Sequence, residues 1–321
     1  MKILIIPGLT LPKVSDQDLE RIRQAAGDDA QIVVTSQKEA ALHAADAEVI
    51  LGLVPKPLFD AAPGLRWVHA IASGVDMSLY PDFIESEILL TSEKGLVGEH
   101  LADHAFGLLL MLTRQLATAH KLGADSWNHR PEMRFKEIEL TGATMGVFGF
   151  GGTGRAIARR AAAFGMNCIA LDRDQVPTSD EVSEIWMPHR FEEFLANSDV
   201  LNICCPLTNE TRDLFDESAF DAMKDSAFLV NVTRGEVMVE EALVAALKTN
   251  KIRGAALDVA PREPLPEDSP LWSMPNVVMT PHTAGASQFR AQRNIDRFVR
   301  NLSHLVNDEP LEGVIDKTLG Y

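Results

Sequence analysis

Three ionisable residues of complementary chemistry each come shortly after a short apolar segment of the chain: Arg234, Glu263 and His282. An arginine can bind a carboxylate through two parallel hydrogen bonds and polarise a neighbouring carbonyl group. A histidine can exchange a proton near neutral pH, and a carboxylate beside it favours the protonated imidazole. Reduction of a 2-keto acid needs these three functions, so the set predicts a carboxylate-binding arginine, a histidine acid/base and its glutamate partner.

A glycine-rich sequence lies between an apolar segment and an alanine-rich one. Glycines permit a tight turn and close backbone approach, so a pyrophosphate can bind the free N–H groups at the start of the following helix. The candidate cofactor contacts in this sequence are Gly149, Gly151, Gly152, Thr153 and Gly154. The context of strand before and helix after predicts a dinucleotide site.

Asp172 ends the next apolar segment, roughly 20 residues beyond the glycine-rich loop, as the dinucleotide fingerprint requires. A carboxylate there accepts hydrogen bonds from the ribose hydroxyls and repels a 2′-phosphate, which favours NAD over NADP. Arg173 and Arg155 are alternative partners for a phosphate, so NADP stays open as the less favoured cofactor.

The elements that must position these residues alternate between strands and helices along the chain. Apolar segments with turn residues between them predict the following strands: 2–6, 32–35, 49–54, 67–71 and 88–90 in the first hundred residues, then 144–150, 167–171, 200–204, 228–232, 254–257 and 277–280. Such alternation is typical of parallel sheets covered by helices on both faces. We expect an α/β protein of two Rossmann-like or flavodoxin-like domains with parallel sheets.

The domain boundaries follow from the two series of strands. Residues 1–98 and 289–321 are expected to form the substrate domain, because the amphipathic C-terminal segment is too poor in apolar residues to fold alone. Residues 99–288 are expected to form the NAD-binding Rossmann domain. An apolar stretch from residue 99 to about residue 122 predicts a buried helix between the domains.

Composition excludes several classes of partner. The 321 residues carry a formal net charge of −16, which disfavours nucleic acid and anionic membrane surfaces. No apolar run is long enough to cross a membrane, and a signal peptide and a disulfide framework are not expected, so a cytoplasmic protein is predicted. His100 and His104 have a spacing typical of metal ligands, but no third ligand follows, and we expect no metal.

Four stretches in order, Gly146–Gly151, Val230–Glu236, Ala256–Pro266 and Thr280–Gly285, show that the chain resembles the D-isomer-specific 2-hydroxyacid dehydrogenases, glyoxylate/hydroxypyruvate reductases among them. The resemblance covers nearly the whole chain. It implies a formate/glycerate dehydrogenase-like substrate domain, a small anionic 2-hydroxy or 2-keto acid as substrate, and the roles given above to the three ionisable residues.

The resemblance also implies further site residues. Asp258 is implied to contact the nicotinamide carboxamide. Trp127 matches a tryptophan in the family's dimerisation arm, which implies a homodimer. The residues implied to line the nicotinamide side by their backbone are Cys205, Pro206, Val232 and Thr233, and those implied to meet the substrate carboxylate through their N–H groups are Ser73, Gly74 and Val75.

Two departures and two alternatives accompany the resemblance. The usual Ala-Glu-His is Ala102-Asp103-His104, and Gly152-Thr153 stands where the family commonly has Arg-Ile, which loosens the expected phosphate contacts. Formate dehydrogenases place glutamine where Glu263 stands, which argues against that activity. A phosphite dehydrogenase and an NAD-sensing corepressor keep the three residues, and turnover of phosphite or of keto acids would distinguish them from a 2-hydroxyacid dehydrogenase.

Overall fold

A computed structural model describes residues 1–321, which divide into two compact units. Unit 1 contains Met1–Val97 together with Ala286–Tyr321, and unit 2 contains Gly98–Gly285. Unit 1 is therefore built from both ends of the chain.

The chain forms twelve strands and eleven α-helices. The strands are β1 (Lys2–Ile5), β2 (Gln31–Val34), β3 (Val49–Leu51), β4 (Trp67–His69), β5 (Leu89–Thr91), β6 (Thr144–Phe148), β7 (Asn167–Leu171), β8 (Ile185–Trp186), β9 (Val200–Ile203), β10 (Phe228–Asn231), β11 (Gly254–Leu257) and β12 (Val277–Met279). The helices are α1 (Asp16–Ala26), α2 (Lys56–Asp60), α3 (Pro81–Glu85), α4 (Gly98–Thr113), α5 (Leu116–Leu122), α6 (Arg130–Lys136), α7 (Gly152–Ala163), α8 (Phe191–Asn197), α9 (Glu217–Ala222), α10 (Glu240–Lys248) and α11 (Arg290–Val306).

Unit 1 is a five-stranded parallel sheet in the order β2-β1-β3-β4-β5, buried on both faces. Side chains alternate along a strand, so Ile3 and Ile5 of β1 enter one hydrophobic cluster and Leu4 enters the other. The cluster with Ile5 also contains Phe298 of α11, whose ring stacks on Trp67 with 5.1 Å between ring centroids. The C-terminal helix thus completes the core of this unit.

Unit 2 is a seven-stranded parallel sheet in the order β12-β11-β10-β9-β6-β7-β8. The chain begins in the middle of this sheet at β6, runs to one edge through β7 and β8, and then returns to fill the other half from β9 onward. The order in which the chain adds strands therefore reverses between β6 and β9. Open α/β sheets bind ligands beside the carboxyl ends of the strands at such a point. The two parallel-sheet units confirm the predicted fold class.

The helix α4 contacts α7 and the strands β10, β11 and β12. Gly98 allows the close approach, because a Cβ atom there would lie 2.5 Å from the backbone oxygen of Gly152. Glu99 and Asp103 of α4 form ion pairs with Arg160 of α7 at 3.0 and 2.7 Å. These contacts fix α4 within unit 2 at its N-terminal end.

The structure corrects three expectations about elements. The single helix expected from residue 99 to residue 122 is two helices, because the backbone turns at Gln115, which has a φ angle of 54°. The two-residue strand β8 was not predicted. Most strands end one to three residues earlier than the apolar segments suggested, so Phe150, Val232 and Thr280 lie in the loops that follow them.

No helix in the structure has the length and apolar composition needed to cross a membrane.

Candidate active site

The glycine-rich loop connects β6 to α7 at the point in the sheet where the strand order reverses. Gly149 has a φ angle of 97°, and a Cβ atom there would lie 2.7 Å from the backbone nitrogen of Cys205 in the loop after β9. At Gly154 a Cβ atom would lie 2.2 Å from the oxygen of Gly149, so both positions require glycine. A Cβ atom at Gly151 would meet nothing within 4 Å. The loop is therefore tight on its inner side and open above Gly151, where α7 begins.

Asp172 follows β7 and faces this loop. One carboxylate oxygen accepts the N–H of Phe150 at 2.7 Å, and the other accepts the N–H of Asp174 at 3.0 Å. Each oxygen keeps a second lone pair that a ribose hydroxyl can use. The open first turn of α7 fits the pyrophosphate of an adenosine diphosphate group, and the Asp172 carboxylate fits its ribose. The residues present therefore fit a dinucleotide.

The two arginines near the loop are bound to protein groups. Arg173 donates to the Glu210 carboxylate at 2.9 Å. The guanidinium of Arg155 lies over the Phe150 ring at 4.6 Å from its centroid and donates to the backbone oxygens of Pro177 and Thr178. The sequence left these two side chains as possible partners of a 2′-phosphate, and in the structure both have protein partners.

The loop after β9 carries two thiols that take no part in acid/base chemistry. Burial raises the pKa of Cys205 to about 12 and raises the pKa of Cys204 further in the same direction. Cys204 also donates its S–H to the side-chain oxygen of Asn202 at 3.3 Å. Both groups stay protonated at neutral pH, so this loop can contribute to a ligand site through its backbone and through Pro206.

Arg234 lies in a turn that a buried asparagine organises. Asn231, the last residue of β10, has no solvent exposure; it donates to the backbone oxygen of Arg234 at 2.9 Å and accepts the N–H of Thr233 at 3.0 Å. The next residue, Gly235, packs on the loop after β11, since a Cβ atom there would lie 1.9 Å from the carbonyl carbon of Ala260. Only glycine allows the two loops to approach this closely.

His282 and Glu263 form a direct pair. His282 Nδ1 lies 2.7 Å from Glu263 Oε2, and the other glutamate oxygen accepts the N–H of Ala260 at 3.1 Å. A carboxylate only accepts hydrogen bonds, so Nδ1 carries a hydrogen and Nε2 is the nitrogen left for a ligand. Both side chains are about two-fifths exposed, at 42% and 39%, so a small ligand can reach the pair.

Asp258 is buried beneath this pair and organises the loop that carries His282. It is 1% exposed, and its carboxylate accepts the N–H groups of Thr283 at 2.9 Å and Ala284 at 2.7 Å and the hydroxyl of Thr280 at 2.6 Å. Its backbone oxygen accepts the N–H of His282 at 2.8 Å. This set of bonds supports the left-handed backbone of His282, which has a φ angle of 53°.

The structure joins some of the predicted residues and assigns others to a different unit. Glu263 and His282 are in contact, and Arg234 is linked to Glu263 through the packing of Gly235 on Ala260. The loop of Ser73, Gly74 and Val75 belongs to unit 1, where it follows β4 and precedes a short 3₁₀ helix that begins at Asp76.

Two polar residues of the site were not predicted. Thr280 was assigned to a strand, and His104 was considered as a metal ligand and noted within the Ala-Asp-His segment, without a role at the site. The structure instead places His104 Nε2 2.7 Å from Thr280 Oγ1. The sequence signal for His104 was its position within the Ala-Asp-His segment of α4, within two helical turns of the Gly98 contact with α7.

Comparison with known proteins finds a family match over most of unit 2. Residues 106–284 match the NAD-binding domain of the D-isomer specific 2-hydroxyacid dehydrogenases. A glyoxylate reductase of Korarchaeum cryptofilum is 32% identical over 92% of this chain and 89% of its own length.

Two solved structures share the fold over nearly their whole length. The NAD-dependent formate dehydrogenase of Staphylococcus aureus in complex with NAD is 26% identical, with a TM-score of 0.75 over 98% of this chain and 99% of that one. The NADPH-dependent glyoxylate/hydroxypyruvate reductase of Sinorhizobium meliloti in complex with NADP and sulfate is 25% identical, with a TM-score of 0.79 over 100% of both chains. The match over the NAD-binding domain and the identity to the archaeal reductase together confirm the resemblance, and the chain belongs to the D-isomer specific 2-hydroxyacid dehydrogenase family.

Proposed function

We propose that this enzyme reduces a small 2-keto acid with NADH and oxidises the corresponding D-2-hydroxy acid in the reverse direction. The observation that carries the proposal is the contact of 2.7 Å between His282 Nδ1 and Glu263 Oε2, beside the sheet edge at which Arg234 also lies. The glyoxylate and hydroxypyruvate reductases among its relatives support a substrate of this size.

The dinucleotide is assigned to the carboxyl edge of the unit 2 sheet. We infer that the turn Gly149–Gly154 binds the pyrophosphate, that Asp172 binds the adenosine ribose, and that the nicotinamide side is lined by the backbone of Cys205, Pro206, Val232 and Thr233 and by Asp258. When bound, the nicotinamide ring supplies a hydride to the carbonyl carbon of the substrate. The engagement of Arg173 with Glu210 supports NAD over NADP.

The protein groups then act on the substrate in sequence. The Arg234 guanidinium binds the carboxylate and draws electron density from the adjacent carbonyl. Backbone N–H groups of Ser73, Gly74 and Val75 are proposed as further donors to the carboxylate. As the carbonyl carbon gains the hydride, its oxygen gains negative charge and takes the proton from His282 Nε2. The Nδ1 hydrogen bond to Glu263 is kept throughout, and it limits the tilt of the imidazole ring.

Oligomeric state and location are inferred separately. Trp127 is 76% exposed in the segment between α5 and α6, and this exposed aromatic ring supports a homodimer formed through that segment. The cysteines Cys168, Cys204 and Cys205 are unpaired, which supports a reducing compartment such as the cytoplasm.

A substrate panel with two variants tests the proposed function. With NADH, the enzyme should reduce glyoxylate or hydroxypyruvate, and with NAD it should leave phosphite unoxidised. His282→Ala should lower kcat by about 10²- to 10⁴-fold, the usual contribution of a positioned acid/base, while NADH binding measured by fluorescence changes little. Arg234→Lys keeps the charge but loses the two-bond geometry, so KM for the keto acid should rise about tenfold or more.

The exposed His43 of unit 1 offers a matched control, since His43→Ala removes a histidine far along the chain from the proposed site. Full activity in His282→Ala, or turnover of phosphite in place of keto acids, would contradict the proposal.

A further inference from the structure

A chain of polar groups joins α4 to the loop that carries His282. His104 Nε2 lies 2.7 Å from Thr280 Oγ1 and 3.4 Å from Asp258 Oδ1, and the Thr280 hydroxyl donates to that same oxygen at 2.6 Å. A hydroxyl has one hydrogen, which Thr280 gives to Asp258. The hydrogen between His104 and Thr280 therefore belongs to His104 Nε2, and the imidazole is the donor that begins the chain.

The far end of this chain fixes the backbone on both sides of His282. Asp258 accepts hydrogen bonds from the N–H groups of Thr283, Ala284 and His282 itself, as described above. Asp258 is buried, and a buried carboxylate needs several donors to offset its loss of hydration. The Thr280 hydroxyl donates to Asp258 Oδ1, the oxygen that also accepts the N–H of Thr283, and His104 Nε2 in turn donates to the Thr280 hydroxyl.

The other end of the chain is anchored in a helix with defined packing. Gly98 brings α4 against α7, and Arg160 pairs with Glu99 and Asp103 on the turns that precede or adjoin His104. His104 is only 25% exposed, so its imidazole direction is set by this packing rather than by solvent. A small displacement of the imidazole would change the hydrogen bonding of Thr280 and Asp258 together.

We propose that His104 is a positioning residue for the acid/base histidine, and that it acts through Thr280 and Asp258 to keep residues 280–284 in the conformation that presents His282 Nε2. His104 touches neither Glu263 nor the substrate in this scheme. The part of the inference that concerns turnover rests on the proposed function, whereas the part that concerns the loop conformation does not.

Two matched pairs of variants test the chain of groups. His104→Leu removes the donor, while His104→Gln keeps an N–H group of similar reach. Thr280→Val removes the hydroxyl and keeps the branched shape, while Thr280→Ser keeps the hydroxyl. Amide hydrogen exchange of residues 282–284, measured in the whole protein without substrate, reports the loop directly, and kcat and KM report its effect on the reaction.

We expect His104→Leu and Thr280→Val to speed amide exchange in the loop about tenfold or more, because the loss of one hydrogen bond from a coupled set also weakens its neighbours. In both, kcat for a keto acid should fall about tenfold or more, while its KM changes less than about threefold. His104→Gln and Thr280→Ser should stay near wild type in both measurements.

Unchanged loop exchange in His104→Leu would overturn the proposal. An equal rise of exchange in β11, outside the loop, would also overturn it, because it would show a general loss of stability. The proposal fails as well if both conservative variants exchange as fast in the loop as the variants that remove the polar group. If the wild type reduces no keto acid, the proposed function fails, and the exchange measurements still decide the role of His104.

Discussion

Three carboxylates in unit 2 serve different purposes because their surroundings differ. Glu263 is partly exposed and shares a hydrogen with a histidine, whereas Asp258 is buried and accepts several donors from one loop. Asp172 lies between these extremes and connects β7 to the glycine-rich turn through the N–H of Phe150. The same functional group thus orients an imidazole, holds the backbone of a loop and joins the end of β7 to the glycine-rich turn.

We propose that Asp172 sets the preference between NADH and NADPH. Its negative charge should repel the 2′-phosphate of NADPH and favour NADH, so kcat/KM should be higher with NADH. Asp172→Asn removes the charge and keeps an acceptor, and we expect it to lower the NADH-to-NADPH ratio of kcat/KM about tenfold, which corresponds to about 1.4 kcal/mol. Steady-state rates with both cofactors measure the ratio.

Asp174 provides the control for this measurement, since Asp174→Asn removes an equal charge two residues away. A wild-type enzyme that uses NADPH more efficiently than NADH would show that Asp172 does not set the preference.

At this scale the sequence predicted the pairing of Glu263 with His282, because both follow strands whose carboxyl ends share one edge. It could not predict the link from His104 to Asp258, because only the packing of α4 across β10, β11 and β12 brings those residues together. A histidine in an apolar helix gives no local signal of its hydrogen-bond partner. The contact of Gly235 with Ala260 could not be predicted either, because it depends on how the loops after β10 and β11 pack together.

At the scale of elements, sequence periodicity located eleven strands and missed β8. Two residues, Ile185 and Trp186, are too few to show a pattern, and the strand exists because it pairs with Ala170 and Leu171 of β7. The break between α4 and α5 also lacked a signal, since neither Gly nor Pro occurs at Arg114 or Gln115. Elements fixed by tertiary contacts were thus the ones that local patterns could not indicate.

The strand β4 carries a histidine that ties the stability of unit 1 to pH. His69 is fully buried against Phe298 of α11, and its Nδ1 lies 2.6 Å from Thr91 Oγ1. Burial lowers the pKa of His69 from 6.5 to about 3, with a smaller contribution from the charge of Arg297. The folded state therefore keeps this histidine neutral down to about pH 3, while the unfolded chain takes up a proton below about pH 6.5.

The sign follows from the proton balance. The unfolded state binds more protons between these two values, so the free energy of unfolding falls as the pH is lowered through that window. From about pH 7.5 to about pH 5.5 the loss due to His69 should be about 1.4 kcal/mol. Urea unfolding followed by far-UV circular dichroism measures it: wild type should lose about that much more than His69→Asn. Parallel pH dependence in the two proteins would be evidence against this role of His69.

At the scale of the whole molecule, the exposed apolar side chains of the segment from α5 to α6 stand out. Leu116, Trp127 and Phe135 are 52%, 76% and 90% exposed. Exposed apolar side chains close together in the chain are typical of a surface that another molecule covers. With a net charge of −16, two copies would need such apolar contact to offset their mutual repulsion.

The proposed homodimer is tested by the mass in solution. Wild type should behave as two chains of 35.2 kDa in light scattering coupled to size exclusion, and Trp127→Arg should shift the mass toward one chain at micromolar concentration. Leu42 is 80% exposed in unit 1, so Leu42→Arg serves as a control that should leave the mass unchanged. A wild-type protein with the mass of one chain would rule out the dimer.

The division of unit 1 between the two ends of the chain has a consequence for synthesis. A ribosome completes all of unit 2 before it makes Ala286–Tyr321, so unit 2 can fold while unit 1 still lacks α11. During that interval Phe298 is not yet present to cover the sheet face with Ile3, Ile5 and Trp67. We therefore expect the nascent chain to expose part of this apolar face until α11 is made, and unit 2 to complete its fold before unit 1.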